Sequence, residues 1–249
     1  MMDRRLLLTG AAALTLAATL SGCGGNLLGP PDAGTIYPLR PGFPAAPAGG
    51  DKVNWSLAVL RPDVPGGLDS DRIALLQPDG SMDYYAKATY PDRLPATVQR
   101  ALLEGFEASG RVDAVAREED ALHADYNLLV EVRDFQAVYA VQDGVPDVMV
   151  SLNVKLTTAH GRRIIAVTTV TQKAAASVNS AGAAVAALEQ ALAAAVTQVV
   201  AWTLATAPPV APGASADSVA ADQTASPGRK AEQLLHDMSR GAGEKASPQ

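Results

Sequence analysis

Cys23 carries the one thiol of this 249-residue chain, and His123, His160 and His236 carry its three imidazoles. Asp113, Glu118, Glu119 and Asp120 form an acidic run. These are the side chains best suited to metal, nucleophilic or acid–base chemistry. A single thiol excludes an intramolecular disulfide and a thiolate metal cluster. The histidines fall before an expected strand, in an expected hairpin turn and in a low-complexity tail, so no two share an element at metal-ligand spacing. The acidic run reads as a solvated face or loop. Gly-x-Ser-x-Gly, the Walker-type phosphate loop and Gly-x-Gly-x-x-Gly after a strand are all missing. With 4% aromatic residues, stacking platforms for bases or sugars are scarce. The side chains predict neither an enzyme nor a metal or other cofactor.

The surroundings of Cys23 give the thiol a different chemistry. Arg4-Arg5 precedes an apolar run from Leu6 to Leu20, 15 residues long, against the roughly 20 that span a bilayer as a helix. Leu20-Ser21-Gly22-Cys23 ends that run with small residues, as in a secretory signal peptide. The four residues resemble a bacterial lipobox, whose cysteine receives diacylglycerol and palmitate and becomes the first residue of the mature chain. Residues 1–22 are therefore expected to be removed, by general or twin-arginine export, leaving a membrane-anchored protein. Gly24 replaces the Asp that retains enteric lipoproteins at the inner membrane, which points to the outer membrane. The signal carries net +1 (Asp3, Arg4, Arg5), so a whole-chain charge of −6 becomes about −7 after cleavage. An acidic surface argues against nucleic acid or anionic headgroups as main partner.

Composition divides the rest. Residues 23–51 are rich in Gly, Pro and Ala and read as a flexible tether, with Tyr37-Pro38-Leu39 as the first edge of folded structure. Residues 52–206 have the length of one domain with a real core. Residues 207–249 read as a disordered Ala/Pro/Ser/Gly tail, in which Lys230 to Ser239 has the composition for one or two transient helical turns.

Within the domain, Val53–Leu60 is an expected strand and Asp63–Asp71 a turn-rich loop. Ile73–Leu76 and Met82–Thr89 form an expected hairpin around Pro78-Asp79-Gly80-Ser81. Asp92–Ser109 is an expected helix capped by Asp92 and stopped by Gly110, with Leu94, Val98, Leu102 and Phe106 on one stripe. Val112–Ala116 is a short strand. Along Ala124–Val141 the apolar set shifts from Tyr126, Leu128, Val130 and Val132 to Phe135, Ala137, Tyr139 and Val141. A one-residue phase change flips the buried face, so a bulge is predicted near Arg133-Asp134. Val148–Leu156 alternates cleanly, and Ile164–Lys173 returns antiparallel through Ala159–Arg162. Asn179–Ala205 is a second, alanine-rich helix, expected to pack on the core rather than span a membrane. The expected order is βββαββββα, an α+β two-layer sandwich with a mostly antiparallel sheet and two helices on one face.

Three stretches resemble the ABC-type transport auxiliary lipoproteins, including the Pqi-type intermembrane transport lipoproteins. They are Leu68–Leu75 with Asp83–Ala86, Tyr90–Gln99 continuing to Leu102, and Ala124–Tyr126 leading to Glu131–Phe135 and Tyr139. The tail after Ala205 is not required by that family pattern. The resemblance implies a periplasmic lipoprotein, usually at the outer membrane, working with an inner-membrane ABC transporter or MCE-domain protein on phospholipid cargo. A homo-oligomer is left open. In those stretches Arg72, Arg93, Arg133 and Asp134 either fix loops and helix ends or dock a partner, with Tyr84, Tyr85 and Tyr90 as amphipathic anchors. Docking predicts an apolar, uncovered edge or end face. The rival reading, a carrier holding an acyl chain itself, needs an apolar cavity of roughly 300 Å³ or more.

Overall fold

The computed structural model describes residues 34–44, 51–112, 114–120, 123–160 and 163–210. The lipobox with Cys23, Asp113, most of the expected tether and the tail from residue 211 lie outside the described residues. Ten elements follow in the order ββββαββββα: β1 Thr35–Ile36, β2 Leu57–Val59, β3 Arg72–Leu76, β4 Met82–Thr89, α1 Leu94–Ser109, β5 Val115–Arg117, β6 Tyr126–Val138, β7 Asp147–Thr158, β8 Ile164–Ala175 and α2 Ala181–Thr206.

The eight strands form one mixed sheet, which corrects the mostly antiparallel expectation. β6–β7, β7–β8 and β3–β4 are antiparallel, but β1–β4, β2–β5, β2–β6 and β3–β6 are parallel. The cause is β6. At 13 residues it is long enough to hold two short strands end to end on one edge, β2 along Tyr126–Leu128 and β3 along Ala137–Val138. Between them the chain stays on that edge as far as Asp63, whose N–H donates to the Val130 carbonyl at 2.9 Å. β4 and α1 then carry the chain back, so β5 runs parallel to β2, as a crossover requires.

The phase shift in β6 is a bulge. Val132 pairs with Leu152 and Asp134 with Ser151, leaving Arg133 as the extra residue. It falls in the gap where Asp63 leaves the β6 edge and β3 has not yet joined it.

Both helices cover the face that carries Leu128, Val130, Val132 and Phe135 of β6 and Val150, Leu152 and Val154 of β7, all buried. α1 buries its predicted stripe, Leu94, Val98, Leu102 and Phe106, and ends at Gly110 in the left-handed region (φ 61°), where its N–H donates to the Glu107 carbonyl. Its N-cap is Arg93 rather than Asp92, with no side-chain cap; Asp92 instead accepts from Arg100 at 3.0 Å. The first helical N–H, on Leu94, donates to the Ser70 carbonyl at 3.0 Å. α2 is capped by Ser180 and buries Val185, Leu188, Leu192, Ala195 and Val199. It is a core helix, although by length and composition alone it could cross a membrane.

The folded part starts earlier than composition indicates. β1 pairs with Ala88–Thr89, the Tyr37 N–H donates to the Thr89 carbonyl, and Leu39 is buried. The Arg40 N–H donates to Glu189 of α2 at 2.7 Å, and Phe43 lies over Gly105 of α1. Residues 34–44 are thus a strap over both helices rather than tether.

Candidate docking surface

Loop 64–71 is held by the residues expected to mark docking. The Arg72 guanidinium stacks 3.8 Å above the Tyr84 ring, and the Tyr84 hydroxyl donates to the Gly67 carbonyl at 2.7 Å. Arg93 Nε meets Asp69 Oδ1 at 3.0 Å, and its Nη2 donates to the Asp69 carbonyl. The Asp69 carboxylate raises the Arg93 pKa through the Nε hydrogen bond. The structure therefore brings Arg72, Tyr84 and Arg93 around one loop.

Tyr85 points to the other side of β4. Its hydroxyl lies 2.9 Å from that of Tyr139, which donates to Asn179 Oδ1 at 2.7 Å; Asn179 Nδ2 in turn donates to the Asp143 carbonyl at 3.0 Å. Since the Tyr139 proton is committed to Asn179, Tyr85 is the donor of the first bond. Burial, then this bond, push the Tyr85 phenol pKa up. The chain of bonds ties β4 and the end of β6 to the β6–β7 turn and the β8–α2 loop.

Tyr90 does not fit the role of surface anchor. It is 2% exposed, packs edge-on against Phe135 with ring centroids 6.3 Å apart, and its phenol is pushed up by burial. Its hydroxyl has no hydrogen-bond partner among the described residues. Arg133 stands on the β6 bulge, 3.6 Å from Glu131, with both side chains solvated. Asp134 accepts from Gln136, whose Oε1 takes the Phe135 N–H at 2.6 Å. Gln136, unnoticed in the sequence, thereby satisfies a backbone donor left open in the gap of the β6 edge. Gln136→Leu is expected to strand that buried N–H and cost about 1–3 kcal/mol in urea unfolding.

The tied turns present an apolar surface. Val141 is 68% exposed, Val145 58% and Val178 56%. Asn179 to the Asp143 carbonyl, and the Ala176 N–H to the Pro146 carbonyl at 3.0 Å, hold the two loops together. Met82, 45% exposed, belongs to the same end, because its partner Leu76 accepts from the Tyr139 N–H. Loop 64–71 reaches this end too, with Gly67 beside the Met82 sulfur. Alternation had placed Val141 inside a strand; β6 stops at Val138 and Val141 stands in solvent. Solvated valines in turns give no periodic signal, so Val145 and Val178 were not legible as a surface.

No group of three His, Cys, Asp or Glu able to hold a metal ion occurs among the described residues. His123 and His160 are exposed and apart in the chain, and Glu118–Asp120 form a solvated 3-10 turn.

These features define an α+β domain with an apolar, solvated end whose loops are tied by hydrogen bonds. The chain belongs to the family of ABC-type transport auxiliary lipoprotein components, whose model matches residues 37–200. Membership in a lipoprotein family places it in the cell envelope. The crystal structure of protein XCC0632 from Xanthomonas campestris is similar at TM-score 0.63 and 32% identity, over 69% of this chain and 96% of that one. A second crystal structure, of an uncharacterized protein, shares the fold at TM-score 0.55 and 17% identity, over 69% and 99%. Uncharacterized protein bll6063 of Bradyrhizobium diazoefficiens is 29% identical over 176 residues, 71% of this chain; the chain spans 46% of the length of that relative.

Proposed function

We propose that this chain is the non-enzymatic lipoprotein of a Pqi-type intermembrane lipid transport system. Acylated Cys23 anchors it, at the outer membrane facing the periplasm, and the domain docks to an MCE-domain or ABC transporter subunit. The observation that carries the reading is the end formed by Val141, Val145 and Val178, with Met82 beside it: apolar, solvated and braced from behind by Tyr85, Tyr139 and Asn179. Exposed apolar groups on braced loops are what a protein interface covers. Loop 64–71, fixed by Arg72, Tyr84 and Arg93, supplies a polar rim. Capture of the lipidated chain from its own membranes is expected to bring down an MCE-domain or ABC component; phospholipid with no protein partner would overturn the reading.

A second reading has an observation of its own. A cleft of about 480 Å³ lies between α1 and α2, walled by Phe43, Gly105, Val200 and Leu204 among others. That volume exceeds the acyl-carrier requirement, so a lipid held by the domain itself is the alternative.

A further inference from the structure

We infer that the cleft between α1 and α2 is the docking groove of the chain's own C-terminal segment, residues 230–240. This stands independently of which partner the valine end binds.

The groove is a surface left over by α2. Glu189 is the one charged residue in its 26, and its mean hydropathy reaches 1.5 over an 18-residue window. A helix apolar on all sides is normally covered on all sides. The sheet covers one face and α1 a second, yet only 56% of that window is buried. Thr197, Ala201 and Ala205 face the groove and are exposed. The lining on α1 is Gly105, Ala108 and Ser109, all small, with Phe43 and Pro44 of the strap closing one side.

The tail starts beside this groove. After α2 the chain turns back, the Pro208 carbonyl accepting from Tyr126 at 2.8 Å and the Val210 carbonyl from Asn54 at 2.6 Å. Val53, next to Asn54, donates to the carbonyl of Arg111, a residue of the groove wall. From there 39 residues remain, 211–249. Their large apolar side chains are Val219, Leu234, Leu235 and Met238. With Ala231, the last three fall at i, i+3, i+4 and i+7, the anchor spacing of an amphipathic helix lying in a groove. Lys230, Glu232, Gln233, His236, Asp237 and Arg240 occupy the opposite side, and Gly228 and Gly241 bound the segment.

Twenty residues link Val210 to Ala231, a flexible span of roughly 25 Å r.m.s.. Tethering at that length gives an effective concentration on the order of millimolar. A contact too weak to hold a free peptide is therefore enough to dock the segment in cis. Docked, it shields the groove from acyl chains and from other helices.

Hydrogen exchange on the chain from residue 23, with Cys23→Ser to prevent acylation, tests this. Amides 231–240 are expected to exchange at least ten-fold more slowly than in the Leu234→Asp/Leu235→Asp variant. Ala201→Asp, an exposed change on the groove side, is expected to release them equally, and truncation after Val210 to speed exchange at 197–205. Equal rates in every variant would overturn the proposal. So would protection that survives Ala201→Asp, which places the segment elsewhere, or protection lost on dilution, which makes the occupant a second copy. Unprotected 231–240 amides together with bound lipid on extraction would make it an acyl chain.

Discussion

Gly105→Leu is expected to destabilise the domain by about 3 kcal/mol, the upper part of the range for overpacking a core. A β-carbon at Gly105 would overlap Val196 Cγ1, with Phe43 and Val200 each 3.6 Å away. Val196 is fully buried and β-branched, so it has no free rotamer into which to retreat. Relief requires α1 and α2 to separate, which opens the layer that both lay on the sheet. Removing a helical glycine favours the helix by roughly 1 kcal/mol, already smaller than the clash. For a domain of this size, about 3 kcal/mol corresponds to a fall in Tm of roughly 6–12 °C. Gly66→Ala is the matched control: nothing lies within 4 Å of its added carbon and its φ is ordinary, so Tm is expected to stay unchanged.

The triple variant Val141→Asp, Val145→Asp, Val178→Asp is expected to cut capture of the proposed transport partner at least ten-fold while the domain stays folded. Each side chain is more than half exposed, so solvation by carboxylates costs the monomer little. In a complex each buried valine contributes on the order of 1.5 kcal/mol or more, and a buried, unpaired carboxylate opposes binding strongly. A ten-fold loss needs only about 1.4 kcal/mol of this. Val167→Asp supplies the comparison, since Val167 is 51% exposed on β8, away from the tied loops. It should leave capture intact. Equal loss from both variants would mean that the effect is charge in general rather than the valine end.

What the sequence made legible follows from the range of the forces involved. Alternation in β7, the stripe of α1, the Gly110 stop and the Arg133 bulge are local patterns, and each has its local structural counterpart. Parallel pairing of β2 and β3 along β6 is not local. It depends on one long strand offering an edge to segments 50 or more residues away, and no residue in β2 states which way its partner runs. Residues 34–44 have a tether's composition, yet Tyr37, Leu39 and Phe43 find cover from helices far along the chain. Asp92 failed as a cap because the Ser70 carbonyl, brought by loop 64–71, takes the Leu94 N–H instead. Among the docking candidates, Arg72, Tyr84 and Arg93 share a loop and Tyr85 braces the valine end, whereas Tyr90 went to the core. An aromatic beside an Arg-Asp pair reads alike in either place.

Site-specific photocrosslinking in the cell envelope tests the docking claim most directly. A photoreactive residue replaces Val145 in the lipidated chain, and in a separate strain it replaces Val167. The Val145 probe is predicted to form an adduct with an MCE-domain or ABC transporter subunit, and the Val167 probe none. Adducts from Val167 but not Val145, or phospholipid as the sole adduct at Val145, would contradict docking through this end.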